Sequence, residues 1–144
     1  MQGNAQGTLP DIRKRIILNA SIQKVWSAVA TAEGIAAWYM PNDFQPQKGH
    51  EFHLQTPFGP TPCKVLEINP PRRLSFTWGQ FGWCVSFELE DLDGKTEFTL
   101  IHSGWGAPDD IVPGAQEKHS VIHDKMNNGW EQIVNDNLRK VVEV

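Results

Sequence analysis

The spacing of hydrophobic positions changes twice along this chain. Arg13 to Ala20 carries Ile16, Ile17 and Leu18, a compact apolar run that predicts a first strand. Ser21 then stands as an N-cap, and Ile22, Val25, Trp26 and Val29 recur at spacings of 3, 1 and 3, the apolar face of a helix. The capping box is incomplete, because Lys24 occupies the place of Glu or Gln. A second helical turn is predicted from Glu33 to Tyr39 and stopped by Pro41.

From Gly49 to His102 the period becomes two. Phe52 and Leu54, Cys63 and Val65, Leu74, Phe76 and Trp78, Trp83, Val85, Phe87 and Leu89, and Phe98, Leu100 and His102 each alternate with mostly polar neighbours. One apolar and one polar face per run is the signature of an antiparallel sheet covered on one side. Turns are predicted at Pro57 to Pro60, Asn69 to Pro71, Gly79 to Gly82 and Asp93-Gly94, and such short connections favour a meander.

Gly104, Gly106, Pro108, Pro113 and Gly114 mark residues 103–115 as a long loop, the kind that often borders a binding site. Beyond it, residues 117–142 contain no Pro and a single Gly. Ile122, Met126, Trp130, Val134, Leu138 and Val141 recur there at 4, 4, 4, 4 and 3, one helix face. A helix of ~25 residues is ~37 Å long, enough to cross a sheet. The order is therefore strand, two short helices, a run of strands, a loop and a long helix. A sheet with one apolar face needs a cover, and the last helix has the matching stripe. The expected fold class is α+β: a curved antiparallel sheet wrapped round a long C-terminal helix.

Composition narrows the function. With 144 residues the chain is expected to be one domain at 11–144, preceded by a flexible arm at 1–10. The net charge of −4 argues against binding nucleic acid or an anionic membrane surface. No apolar run reaches the ~18 residues of a membrane span, and the first ten residues lack an apolar signal core. Two cysteines cannot build a disulfide framework, so a cytoplasmic setting is expected. Six Trp against one Tyr is the unusual entry in the composition.

The ordered set of Ala20-Ser21 with Val25-Trp26, Trp38-Tyr39 with Pro41, Phe44-Gln45-Pro46 leading to Gly49 and Phe52, the stretch Val65 to Leu74, Phe76-Thr77-Trp78, Thr99 to His102, and Asn128-Gly129-Trp130 resembles a known family. It is similar to the SRPBCC, or START-like, helix-grip superfamily. More narrowly, it resembles the bacterial branch related to the C-terminal domain of the activator of the heat-shock-protein-ninety ATPase. The resemblance covers nearly the whole chain beyond residue 10. It implies a helix-grip fold with a cavity between sheet and helix that takes a hydrophobic or amphipathic small molecule. Functions on such a fold are diverse.

On this reading Trp78, Trp83 and Phe87 line the sheet side of the cavity and Met126 and Trp130 the helix side. Trp38 and Trp105 sit in flanking segments that would close its end, and His102, on the inward parity, would be a polar anchor. The alternative is that these side chains fill a solid core, with His102 satisfied internally. His119 and His123 are four apart on a helix, but no third ligand or motif supports a metal site. Asp91 to Gly94 reads as a hairpin turn rather than a calcium loop, because His102 stands where the loop needs Glu. Cys63 and Cys84 read as inert thiols, and Glu88 and Glu90 as solvated carboxylates on the polar face. No nucleophile or phosphate-loop motif is present. The expectation is a small-molecule binding module with no catalytic residue, metal or cofactor assigned. A chaperone-linked interaction module and a cyclase- or hydrolase-type enzyme remain the other readings, the former acting through the outer surface.

Overall fold

A computed structural model describes residues 8–56, 59–79, 82–112 and 117–143. Strand β1 (Ile12–Leu18) ends before Ser21, whose hydroxyl accepts from the Lys24 amide and caps α1 (Ile22–Val29). Thr31 caps α2 (Ala32–Trp38) in the same way, through the Gly34 amide. The two helices meet where Gly34 has no side chain: a Cβ there would lie 2.4 Å from the Ser27 carbonyl oxygen.

Five strands follow: β2 (Glu51–Thr56), β3 (Gly59–Asn69), β4 (Arg73–Trp78), β5 (Trp83–Asp91) and β6 (Thr96–Ser103). They form a meander, and β1 joins it beside β6, giving the antiparallel order β1-β6-β5-β4-β3-β2. The alternation read from the sequence is the burial pattern. Trp83, Val85, Phe87 and Leu89 are buried, as are Phe98, Leu100 and His102 on the neighbouring strand. The register of β3 on β4 shifts between Val65 and Glu67, leaving Leu66 unpaired and exposed. At the β5–β6 turn Asp93 and Gly94 have φ of 59° and 97°, and the Asp91 carboxylate accepts from the Asp93 amide. Both positive dihedrals belong to the tight hairpin, so Asp91 is engaged in the turn. The turns at 57–60 and 79–82 fall partly outside the described residues, at 57, 58, 80 and 81.

The long loop differs from its expectation. It contains β7 (Ile111–Val112), paired with β8 (Glu117–Lys118), while residues 113–116 lie outside the described part. The covering helix also differs. It runs as α3 (His119–Gln132), a π-helical segment (Ile133–Leu138) and α4 (Arg139–Val142). Its fully buried contacts are Trp130, Val134, Leu138 and Val142, so the last one is Val142 rather than the expected Val141. In an α-helix a strict four-residue spacing rotates by about 40° per step away from the sheet. The wider i→i+5 turns take up that drift, and the stripe keeps its spacing of four.

The N-terminal arm was expected over residues 1–10. Residues 1–7 lie outside the described part, but Leu9 and Pro10 are tied down. The Leu9 amide donates to the Gly106 carbonyl at 3.0 Å, and His123 donates to the Pro10 carbonyl at 2.8 Å.

Candidate functional site

His102 is the last inward residue of β6 and has no exposed surface. β5 brings Trp83 alongside it, with ring centroids 4.9 Å apart, and β4 brings Trp78 to 5.4 Å. Just after β6, Trp105 folds back over the imidazole at 4.8 Å. The covering helix adds Trp130 at 6.1 Å. Four indoles from four segments thus enclose one imidazole.

The hydrogen bonds define its chemistry. Trp130 Nε1–H donates to His102 Nδ1 at 3.0 Å. An indole nitrogen only donates, so Nδ1 is unprotonated and the hydrogen sits on Nε2. Burial, followed by the nearby His123, lowers the His102 pKa to about 3, so the ring is neutral. Among the described residues no partner reaches His102 Nε2. A buried donor without a partner is costly and rare enough to ask for a reason.

A second such group lies in the same cluster. Tyr39, just past the end of α2, stacks on Trp130 at 5.0 Å and meets Trp78 edge-on at 6.0 Å. Its hydroxyl is buried, finds no partner among the described residues, and is pushed well above the usual tyrosine pKa by that burial. Tyr39 and His102 therefore flank the same two indoles. Tyr39 is not among the residues that the sequence pattern marks for the site. The available signal was that the chain's one tyrosine adjoins Trp38.

The structure brings Trp78, Trp83, His102, Trp105 and Trp130 into one cluster of ring contacts. Phe87 and Trp38 lie deeper and pack on each other at 5.5 Å, with Trp38 joined to the cluster through Tyr39. Met126 is half-buried on α3, one turn before Trp130. Trp38 was expected at the rim. It is instead a core residue, 1% exposed, and its Nε1–H donates to the Ala28 carbonyl at 2.7 Å. Two helices pack over it, which the local pattern does not reveal. Trp105 packs on Trp83 and His102, and its Nε1–H donates to the His102 carbonyl at 3.1 Å. That fold-back needs Gly104, with φ +91°, where a Cβ would lie 2.1 Å from the Gly82 carbonyl oxygen.

The rings of this cluster touch one another along the line Trp130, Trp78, Trp83 and Trp105. An open cleft of ≈ 410 Å³ lies elsewhere, lined by Pro41, Asn42, Asp43, His53, Gln55 and Pro60. In it the Asp43 carboxylate accepts from both the backbone and the ring of His53, which lowers its pKa.

His119 and His123 flank Trp105 with ring centroids at 5.9 and 4.8 Å. His119 Nδ1 accepts from the Gly106 amide. Among the described residues no group of three or more His, Cys, Asp or Glu is placed to hold a metal ion. Cys63 is buried and its thiol is pushed up to about 12 by burial, while Cys84 is half-buried and also raised. Glu88, expected to be solvated, pairs on the outer face with Arg73, which also holds Glu67 at 2.9 Å. No helix among the described residues is long and apolar enough to cross a membrane.

Comparison with known proteins agrees with this architecture. The family described as Activator of Hsp90 ATPase homolog 1-like protein matches residues 19–143. The solution structure of Bacillus halodurans protein BH1534 is 47% identical, covers 95% of this chain and 99% of its own, and superposes with a TM-score of 0.89. Protein MLL2253 from Mesorhizobium loti is 23% identical, with coverage of 92% and 96% and a TM-score of 0.77. The Aha1 dimer from Colwellia psychrerythraea is 20% identical, with coverage of 94% and 98% and the same TM-score of 0.77. The last two share the fold. Comparison with the curated proteins gives no match.

Proposed function

The chain belongs to the Activator of Hsp90 ATPase homolog 1-like family within the SRPBCC helix-grip superfamily, and from that premise we propose that it is a cytoplasmic small-molecule binding module. Its ligand is hydrophobic or amphipathic and is held between the sheet and the long helix. The carrying observation is the convergence of Trp78, Trp83, Trp105 and Trp130 on a buried His102 whose Nε2 has no partner among the described residues. Apolar walls with a few convergent polar groups are the general make-up of a ligand site. Phe87, Met126 and Trp38 would back those walls.

Tryptophan fluorescence reads the site directly, because four of the six indoles surround it. Titration with a panel of lipids and polyaromatic compounds is expected to give a saturable change with at least one class. A flat response across the panel overturns the binding reading.

The family match favours a second reading, contact with a heat-shock chaperone through the outer sheet face. That face carries Lys64, Thr77, Glu88, Glu90 and Thr99, and polar contacts of this kind would be weakened by salt. A purified chaperone that leaves the protein's amide NMR shifts unchanged at low salt counts against it.

A further inference from the structure

Trp130 does more than line a wall: in a ring kept neutral by burial, it fixes which nitrogen of His102 carries the hydrogen. To become charged, the imidazole would need a hydrogen on Nδ1, and that hydrogen would face the indole N–H already bonded there at 3.0 Å. Protonation would break that bond and leave the Trp130 donor buried without an acceptor. The ring is thereby held as a neutral donor, with its Nε2–H presented to the interior. The Tyr39 hydroxyl is the second buried group with hydrogen-bonding capacity to spare, beside the same two indoles.

The interior also lacks a counter-charge. Among the described residues the buried polar side chains are Ser75, Ser86, Thr96, His102 and His119, and none is Lys or Arg. Lys14, on the inward parity of the edge strand β1, is held by Glu131 at 3.2 Å. A carboxylate brought to His102 would be desolvated with no buried Lys or Arg among the described residues to meet it, the half-buried His123 behind Trp105 being the charged group that acts on the ring. An uncharged oxygen acceptor loses far less and satisfies the His102 donor.

We propose that this site selects neutral ligands carrying a hydrogen-bond acceptor such as a carbonyl oxygen, and refuses anionic headgroups, because Trp130 locks His102 as a neutral Nε2–H donor. This rests on the binding-module reading and specifies the ligand's chemistry. The occupant is a flat apolar body with an uncharged oxygen, rather than a fatty acid. His102 is the specificity group and Trp130 the positioning residue.

Three probes of similar ring shape test it on the full chain: fluorene, fluorenone and fluorene-9-carboxylate, titrated by tryptophan fluorescence and by amide NMR shifts. Fluorenone is expected to bind about tenfold tighter than fluorene, the size of one well-made buried hydrogen bond. The carboxylate is expected to bind at least tenfold weaker than fluorenone. In Trp130→Phe no indole fixes the hydrogen on Nε2, and the preference for fluorenone over fluorene is expected to fall at least threefold. Equal binding of fluorene and fluorenone overturns the proposal and leaves the pocket standing. So does carboxylate binding as tight as the ketone's. Failure of all three probes to bind overturns the pocket as well. If Trp130→Phe does not fold, nitrogen-15 shifts of the wild-type imidazole decide the point. They are expected to show hydrogen on Nε2 alone from pH 8 to pH 5, with Nε2 shifting on fluorenone addition. A doubly protonated ring at pH 5 overturns the lock.

Discussion

A single imidazole carries much of the chemistry, and it leaves a mark on stability as well as on binding. The folded-state pKa of His102, about 3, lies below the ordinary histidine value of about 6.5. The unfolded chain therefore takes up a proton first as the pH falls. The contribution is complete above about pH 6.5 and is lost as the pH drops from there toward 3. Its slope approaches about 1.4 kcal/mol per pH unit once the unfolded histidine is mostly protonated. Urea unfolding of the wild type at pH 7, 6 and 5 is expected to show that loss, and His102→Gln to flatten it whatever its effect at pH 7. An unchanged pH profile in the variant would assign the loss to other groups. Parity alone placed His102 inward, so this residue was legible in the sequence. The orphaned Nε2 was not, because it depends on an indole 28 positions away along the chain reaching the other nitrogen.

At the scale of elements, local chemistry and periodicity carried most of the reading. Ser21 capped its helix, Asp93-Gly94 made the hairpin, and strand parity gave the inward face from Phe52 to His102. What escaped were the close approaches between elements. Gly34 looks like an ordinary residue in a short helix, yet a Cβ on it would press on the backbone oxygens of Ser27 and Ala28 at 2.4 and 2.5 Å. Neither oxygen belongs to a flexible side chain, so α1 and α2 would have to move apart. Gly34→Ala is expected to destabilise the protein by about 1–3 kcal/mol, despite the higher helix propensity of alanine. A neutral or stabilising result in thermal unfolding would show that the helix pair yields easily. The π-helical turns of residues 133–138 were equally hidden. The apolar stripe at steps of four is visible in the sequence, but its spacing predicts an α-helical face closing at Val141. Only the packing of Val134, Leu138 and Val142 on one line shows how the backbone accommodates it.

Across the whole molecule, the helix is fastened to the sheet differently at its two ends. At the C-terminal end the clasp is polar: Arg139 donates to the Ile17 carbonyl at 3.2 Å, and the Glu143 carboxylate accepts from the Asn19 amide at 2.8 Å. Arg139 and Glu143 also pair with each other at 2.8 Å. At the N-terminal end rings join the polar ties: His119 and His123 pack on Trp105 and Trp130 on His102, while His119 and His123 also bond Gly106 and Pro10. His102 has no exposed surface, so a ligand reaches it only if one end lifts. Ring contacts reform around an aromatic guest, whereas the polar clasp offers it nothing in exchange. The aromatic end is therefore the expected point of access. Hydrogen exchange measured with and without fluorenone tests this: protection is expected to change in residues 103–106 and 119–130 and to stay constant in 139–143. Changes confined to the C-terminal clasp, or spread evenly along the helix, would place the opening elsewhere. Sequence spacing marked the Trp105 loop as a border of the site, but it carried no sign of this asymmetry, since the clasp joins residues more than a hundred positions apart.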